Sequence, residues 1–276
     1  MKILNLIIIA SLLSVSFISC DKVEAPYKEE IIIPDDTTAT YQKNVLLEDF
    51  TGHKCVNCPA AHETGHDLTE IYGDDRLIIV AIHSGFYASP ASAPYDYDFR
   101  TDAGTEYASA FGVQGYPMGI IDRVNDGGNY LLDVNKWGTV VNQQIGEELQ
   151  IGLTITSSTN GDKISGEVAI EFLTDVNSAT KLQLWILEDN IIKAQLTPEG
   201  DEEDYVHNHV LRGDINGVWG ESLPKNSYAA QEIESMSFTG FQIGDDWVMD
   251  ELSIVAFVYD ADSKKVIQIQ KKKLIE

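Results

Sequence analysis

Residues 45–58 read VLLEDFTGHKCVNC, and they say more about the architecture than any other part of the chain. The run begins apolar, which predicts a buried strand, and then turns through small and polar residues to Cys55 and Cys58. Pro59 suits the first turn of a helix, so we predict a helix from there to about Tyr72. The sequence thus places two cysteines at a helix start, where the helix dipole favours a thiolate.

Two interpretations of this pair remain open from the residues alone. In the first it is a reactive dithiol, in which Cys55 attacks, Cys58 resolves and Lys54 adds positive charge. In the second it is an inert disulfide, because paired cysteines in an oxidising envelope often stay bonded. The intervening Val56-Asn57 does not indicate whether a reactive pair would reduce or oxidise its substrates.

A metal site is a third, weaker alternative for the same segment. Its ligands would be His53, Cys55, Cys58 and His62, a set of donors that suits zinc or copper(I). Singly, each histidine is better explained as a helix-surface or loop residue. We therefore predict neither a resident metal nor another cofactor.

The N-terminus carries a targeting segment. Residues 1–19 join a short basic start to an apolar stretch too short to span a membrane, which predicts a secretory signal peptide. Cys20 at the cleavage point predicts lipidation, although Phe17 stands where a leucine is usual; ordinary cleavage with a free cysteine is the alternative. Residues 20–43 are predicted to be the lipidated N-terminus and a polar tether, and the acyl chains would anchor the protein to a membrane.

Length and charge limit the classes of function. The 257 residues that follow the signal peptide favour two domains. They hold 18 basic and 44 acidic residues, so the surface is strongly negative and repels nucleic acid and anionic lipid headgroups. We therefore exclude a nucleic-acid partner.

The first domain is predicted at residues 44–150, with alternating strands and helices. Beyond the cysteine segment, the predicted elements are a strand at Leu77–Ile82, a helix at Thr105–Phe111, a strand at Met118–Asp122 and a helix from Val134 to about Leu149. Residues 84–104, rich in aromatic side chains, are predicted to be an insertion that covers the cysteines or contacts a partner.

The cysteine segment resembles the thioredoxin signature. Asp49 lies six residues before Cys55, and the GVQGYP stretch ends in Tyr116-Pro117, where that family has a cis-proline. The resemblance implies a buried acid at Asp49 and a cis Pro117 beside the pair. It therefore identifies Cys55, Cys58, Asp49 and Pro117 as the candidate catalytic residues.

The second domain is predicted at residues 151–276, where the pattern becomes β. Six or more strands separated by turns predict an antiparallel, immunoglobulin-like sandwich. The segment YVHNHVLR places His207 and His209 two residues apart, and we interpret it as a structural motif rather than a metal site. Residues 199–204 are interpreted as a solvated acidic loop with at most weak attraction for calcium.

The segments DFTGHKCVNCPAAH, VAIHSG, GVQGYP, YVHNHVLR and IVAFVYD together resemble the twenty-eight-kilodalton outer-membrane-protein family, related to Omp28. That resemblance implies a thioredoxin-like domain followed by a β-sandwich, tethered to the outer membrane and facing the periplasm or the cell surface. Two functions remain open. One is a thiol–disulfide oxidoreductase acting on exported protein thiols and disulfides; the other is a surface binding or adhesion protein with a structural disulfide and a protein partner.

Overall fold

The computed structural model describes residues 41–125 and 127–275, which are mostly β with few helices. The α-helices in these ranges are α1 (Cys58–Tyr72), α2 (Gly85–Ala88), α3 (Asp102–Ala110) and α4 (Trp137–Ile145), and Val134–Lys136 and Met249–Glu251 are 3₁₀ turns. The strands are β1 (Val45–Thr51), β2 (Leu77–His83), β3 (Met118–Ile121), β4 (Ile151–Asn160), β5 (Lys163–Phe172), β6 (Thr180–Glu188), β7 (Ile191–Ile192), β8 (Gln195–Thr197), β9 (Gly200–Glu202), β10 (Val206–His207), β11 (Val210–Asp214), β12 (Glu221–Ser222), β13 (Ile233–Gln242), β14 (Leu252–Asp260) and β15 (Val266–Lys273). Within the described ranges, no helix is both long and apolar enough to cross a membrane. The predicted signal peptide, Cys20 and most of the tether lie outside the described residues.

The cysteine segment lies in a mixed part of the sheet. β1 and β2 are parallel and are joined by α1, and β3 runs antiparallel to β1. Side chains of β1 alternate between two cores because successive residues of a strand point to opposite faces. Leu47 packs on the face covered by α1 and α4, whereas Leu46 and Phe50 pack on the face covered by α3.

The same sheet continues into the second half of the chain. Its order is β15-β14-β6-β11-β2-β1-β3, with β12 paired to β6. The two halves meet where Val210 of β11 pairs in parallel with Ala81 of β2. The predicted boundary between residues 150 and 151 stays a prediction, and strands from both sides of it form one sheet.

A second layer covers the C-terminal end of that sheet. β13, β5 and β4 form a separate antiparallel sheet. Its apolar side chains share a core with residues of β6 and β14, among them Leu184 and Ile254. The second half is thus rich in antiparallel β structure, as expected, but its strands are divided between this layer and the sheet shared with the cysteine segment.

Several predicted boundaries move. The helix expected from Val134 begins only at Trp137, after a 3₁₀ turn. The helix expected from Thr105 begins at Asp102, because the Thr101 hydroxyl accepts a hydrogen bond from the Gly104 backbone and so fixes an earlier start. The acidic segment predicted as a loop is partly the β8–β9 hairpin.

The predicted tether ends inside the fold. Lys43 is buried and donates a hydrogen bond to a carboxylate oxygen of Asp122 at 2.7 Å. Asn44 is also buried, and its backbone N–H donates a hydrogen bond to the side-chain oxygen of Gln268 in β15. Lys43 at the end of the predicted tether and Asn44 directly after it are therefore fixed by polar contacts to both halves of the chain.

Candidate functional site

Cys55 and Cys58 lie at the point predicted from the sequence. β1 ends at Thr51, and a tight turn follows in which the Cys55 backbone donates to the Gly52 carbonyl. Cys58 is the first residue of α1, next to Pro59 in the first turn. The two cysteines are joined in a disulfide with their Cα atoms 5.4 Å apart.

The disulfide is covered. Cys55 is 3% exposed and Cys58 is fully buried, whereas the two residues between them are exposed. One cover comes from β8, where the Gln195 side-chain amide donates to the Cys55 carbonyl at 3.1 Å and the Leu196 backbone donates to the His53 carbonyl at 2.7 Å. Neither contact could be found in the sequence, because residues 195 and 196 carry no pattern that points to the cysteines.

The predicted insertion supplies a second cover. The Lys54 backbone donates a hydrogen bond to the Tyr87 carbonyl at 3.0 Å. Gly52 packs against the backbone of the insertion. A Cβ at this position would lie 2.6 Å from the Tyr87 carbonyl carbon and 2.8 Å from the Ala88 nitrogen. Only glycine therefore allows the insertion to lie this close to the cysteine turn.

We expect Gly52→Ala to uncover the disulfide. The new methyl group meets backbone atoms of Tyr87 that no rotamer change can move, so the insertion must shift, with a stability loss of about 1–3 kcal/mol. The measurement is the rate at which dithiothreitol reduces the disulfide in native buffer, followed by alkylation of the new thiols. Gly115→Ala is the matched control, because a Cβ at Gly115 meets nothing within 4 Å. Equal reduction rates in the two variants would show that the insertion does not protect the disulfide.

Pro117 lies at the same end of the sheet. The Tyr116–Pro117 peptide bond is cis, and Pro117 directly precedes β3. Because Met118 is paired with Phe50 of β1, the proline is placed beside the end of β1 from which the cysteine turn leaves. The Tyr116 hydroxyl lies 2.9 Å from the Ser84 hydroxyl, which ties this segment to the start of the insertion.

Asp49 is a buried acid on the opposite side of β1 from Leu46 and Phe50. Burial raises its pKa to about 7, and its Oδ1 atom has no hydrogen-bond partner. His62 Nε2 of α1 lies 3.6 Å from its other oxygen, but burial and the neighbouring His209 lower the pKa of His62 to about 4. At neutral pH the imidazole is therefore uncharged, and the contact is not an ion pair.

Both ring nitrogens of His62 are engaged elsewhere. Nε2 is 2.9 Å from the Thr51 hydroxyl, and Nδ1 is 2.7 Å from the Tyr205 hydroxyl. The two sulfurs of the predicted alternative metal set are bonded to each other. In residues 41–125 and 127–275 no three His, Cys, Asp or Glu side chains are arranged to hold a metal ion. His53, Cys55, Cys58 and His62 are thus not assembled as a metal centre.

The structure brings three further histidines to the region of Asp49. His83 ends β2, and its ring lies 5.5 Å from that of His207 of β10, centroid to centroid. Burial lowers the pKa of His83 well below its usual value and that of His207 to about 3. His209 directly precedes β11 and also lines this region. The spacing of His207 and His209 was visible in the sequence, but their proximity to Asp49 depends on the pairing of β11 with β2.

A family model and several solved structures match the chain. The model for outer membrane protein Omp28 matches residues 104–276, whereas no curated protein matches. The structure of HBP35 from Porphyromonas gingivalis is 17% identical, with a TM-score of 0.67 over 85% of this chain and 76% of that one. A structural-genomics target from Agrobacterium tumefaciens is 12% identical, with a TM-score of 0.50 over 86% and 96%. A domain of the outer membrane lipoprotein Omp28 from Porphyromonas gingivalis is 25% identical, with a TM-score of 0.33 over 47% and 91%.

Proposed function

Because this chain belongs to the Omp28 family of outer membrane proteins and so lies at the outer membrane, we propose that it is a binding protein of the cell envelope whose Cys55–Cys58 disulfide is structural. One observation carries the proposal: both cysteines are buried, at 3% and 0% exposure. Thiol–disulfide exchange requires a thiolate to reach a sulfur atom in line with the bond. A protein substrate cannot do so while β8 and the insertion cover the pair.

The proposal includes a thioredoxin-like first half and an immunoglobulin-like second half. The first is supported by the parallel β1-α1-β2 unit and by β3, which follows the cis Pro117 and pairs antiparallel with β1. The second is supported by the layer of β4, β5 and β13 packed on β6 and β14. A fold of this kind hosts many functions, so the site decides between them.

We place the anchor at Cys20 and the partner surface next to the cysteine turn. The anchor is supported by the apolar leader that ends immediately before Cys20. The partner surface is supported by exposed apolar side chains around the insertion: Phe86 is 77% exposed, Tyr87 40% and Val56 38%. Exposed aromatic groups of this kind are enriched in protein–protein interfaces, so the proposed partner is an exported or surface protein.

We expect the disulfide to resist reduction in the folded protein. The purified chain is incubated with dithiothreitol in native buffer and in denaturant, and the thiols are counted by alkylation. Because the disulfide is buried, we expect rapid reduction only in denaturant. A structural disulfide should also have a reduction potential below about −300 mV, and the protein should not accelerate the reduction of insulin. Rapid native reduction together with insulin turnover would contradict the structural role.

A thiol–disulfide oxidoreductase is the second candidate. The observation that favours it is the buried Asp49, whose pKa of about 7 suits proton transfer near neutrality. In this reaction a substrate thiolate attacks Cys55, the Cys58 thiolate leaves, and a second substrate thiolate releases the reduced pair. Two electrons and two protons thus pass from a substrate dithiol to the disulfide. In the reverse direction the Cys55 thiolate attacks a substrate disulfide and displaces one substrate thiolate, and the resulting mixed disulfide persists in a Cys58→Ser variant because no Cys58 thiolate is present to resolve it. Failure of this variant to trap a mixed disulfide at Cys55 in cells would argue against this candidate.

A further inference from the structure

A cavity of about 380 Å³ lies between α1, β2 and β10, and the two cysteines do not line it. We call it the histidine cavity, because five histidines line it together with Asp49: His62, His66, His83, His207 and His209. Its volume falls within the range of small-molecule sites. It is separate from the exposed aromatic surface of the insertion.

The floor of the histidine cavity is one face of the sheet. Asp49 of β1 is paired with Ala81 of β2, and Ile79 and His83 lie two residues to either side of Ala81, so all four point to the same face. Trp137 of α4 adds an apolar wall. The cavity therefore combines an apolar floor with a small number of polar groups, as ligand sites do.

Polar atoms at the cavity lack partners. Asp49 Oδ1 and His83 Nδ1 have no hydrogen-bond partner, although these two residues are only 2–3% exposed. Buried polar groups in proteins are nearly always satisfied, so two unpartnered atoms that line one cavity need an explanation. A ligand that carries hydrogen-bond donors would supply the missing hydrogen bonds.

The charges around the histidine cavity select the kind of ligand. The titratable side chains that face it are Asp49 of β1, His62, Glu63 and His66 of α1, His83 of β2, Tyr205 and His207 at β10, and His209. Burial keeps His62, His83 and His207 uncharged at neutral pH, so these imidazoles do not repel a cation in the cavity. The net charge of −25 adds a long-range attraction for cations.

We propose that the histidine cavity binds a small organic cation, with its ammonium group beside Asp49 and its apolar body against Ile79, Ala81 and Trp137. An ammonium group donates three hydrogen bonds and supplies the charge partner that the carboxylate lacks. An anion is disfavoured because the carboxylate repels it. A metal ion is disfavoured because no three ligands in the described residues are arranged to share one. The proposal goes beyond the proposed function and does not depend on the state of the disulfide.

A matched set of indole compounds tests the proposal on the full chain purified in detergent. Tryptamine, the neutral tryptophol and the anionic indole-3-acetate share one ring system and differ in the charge of the end group. Isothermal titration should show one tryptamine bound per chain, at least about tenfold more tightly than tryptophol, with indole-3-acetate weakest. Equal affinities for the three compounds, or no binding of tryptamine, would overturn the proposal.

Substitutions locate the binding. Asp49→Asn keeps the shape of the side chain and should abolish the preference for tryptamine over tryptophol. Asp67→Asn removes an exposed carboxylate from the same helix as His62 and should leave the preference unchanged. A preference that survives in Asp49→Asn would place the cation elsewhere, and stoichiometric displacement of tryptamine by Zn²⁺ would identify a metal site instead. Either result overturns the proposal while leaving the reduction test of the disulfide unaffected.

Discussion

Replacing Arg123 by leucine is expected to lower the free energy of unfolding by about 3–5 kcal/mol, because the substitution leaves the Glu48 carboxylate buried without its charge partner. Both side chains are fully buried. The Arg123 guanidinium donates to the two Glu48 oxygens at 2.8 and 3.0 Å. It also lies 5.1–5.7 Å from six aromatic rings, those of Tyr107, Phe111, Trp185, Trp219, Phe257 and Tyr259. A cation so enclosed contributes packing as well as charge.

The measurement is urea unfolding followed by far-ultraviolet circular dichroism at pH 7. Arg100→Leu is the control, because Arg100 makes a similar pair with Asp98 at the surface, where such pairs contribute about 0–1 kcal/mol. The double variant Glu48→Gln with Arg123→Met removes both charges and should recover part of the loss. If Arg123→Leu proved no more destabilising than Arg100→Leu, the buried pair would have no structural role.

Asp49→Asn is expected to stabilise the protein at pH 8 by up to about 4 kcal/mol and to have little effect near pH 4. The pKa of Asp49 is raised from 3.8 to about 7 in the folded protein, with burial as the cause. Folding therefore favours the protonated carboxyl group. The stability that the group contributes is complete below its unfolded pKa and is lost as the pH rises from about 4 to about 7. Asparagine does not titrate, so the loss is absent from the variant.

The measurement is the free energy of unfolding of both proteins at several pH values between 4 and 8. The buried histidines act in the opposite direction, because the lowered pKa values of His62 and His207 reduce stability as the pH falls below about 6.5. They are present in both proteins, so their effect largely cancels in the difference. Asp67→Asn, an exposed control, should show no comparable difference. A stability difference that does not grow between pH 4 and pH 7 would mean that Asp49 is charged in the folded state.

Local sequence patterns predicted the cysteine segment well. The apolar runs of β1 and β2, Pro59 in the first turn of a helix and the two cysteines are all short-range features, and the observed α1, Cys58–Tyr72, begins within one residue of the prediction. The cis bond before Pro117 also lies where the resemblance to thioredoxin implied it. Helix ends were less predictable, because they depend on single capping contacts such as that of Thr101.

Features made by residues far apart in the chain could not be predicted. The cover over the cysteines depends on Gln195 and Leu196, and nothing in their neighbours indicates what they contact. Arg123 follows the apolar strand β3 and resembles a surface residue in the sequence, yet the aromatic rings that enclose it come from several distant segments. The histidine cavity likewise exists only because β11 pairs with β2.

The pairing of β11 with β2 also determines when the sheet can be completed during folding. During synthesis, residues 41–150 leave the ribosome before β11, β6, β14 and β15 exist, so the edge of β2 has no neighbour at that stage. An unpaired strand edge attracts other chains. Until β11 pairs with it, this edge of β2 is therefore open to pairing with another chain, and residues 210–214 close it.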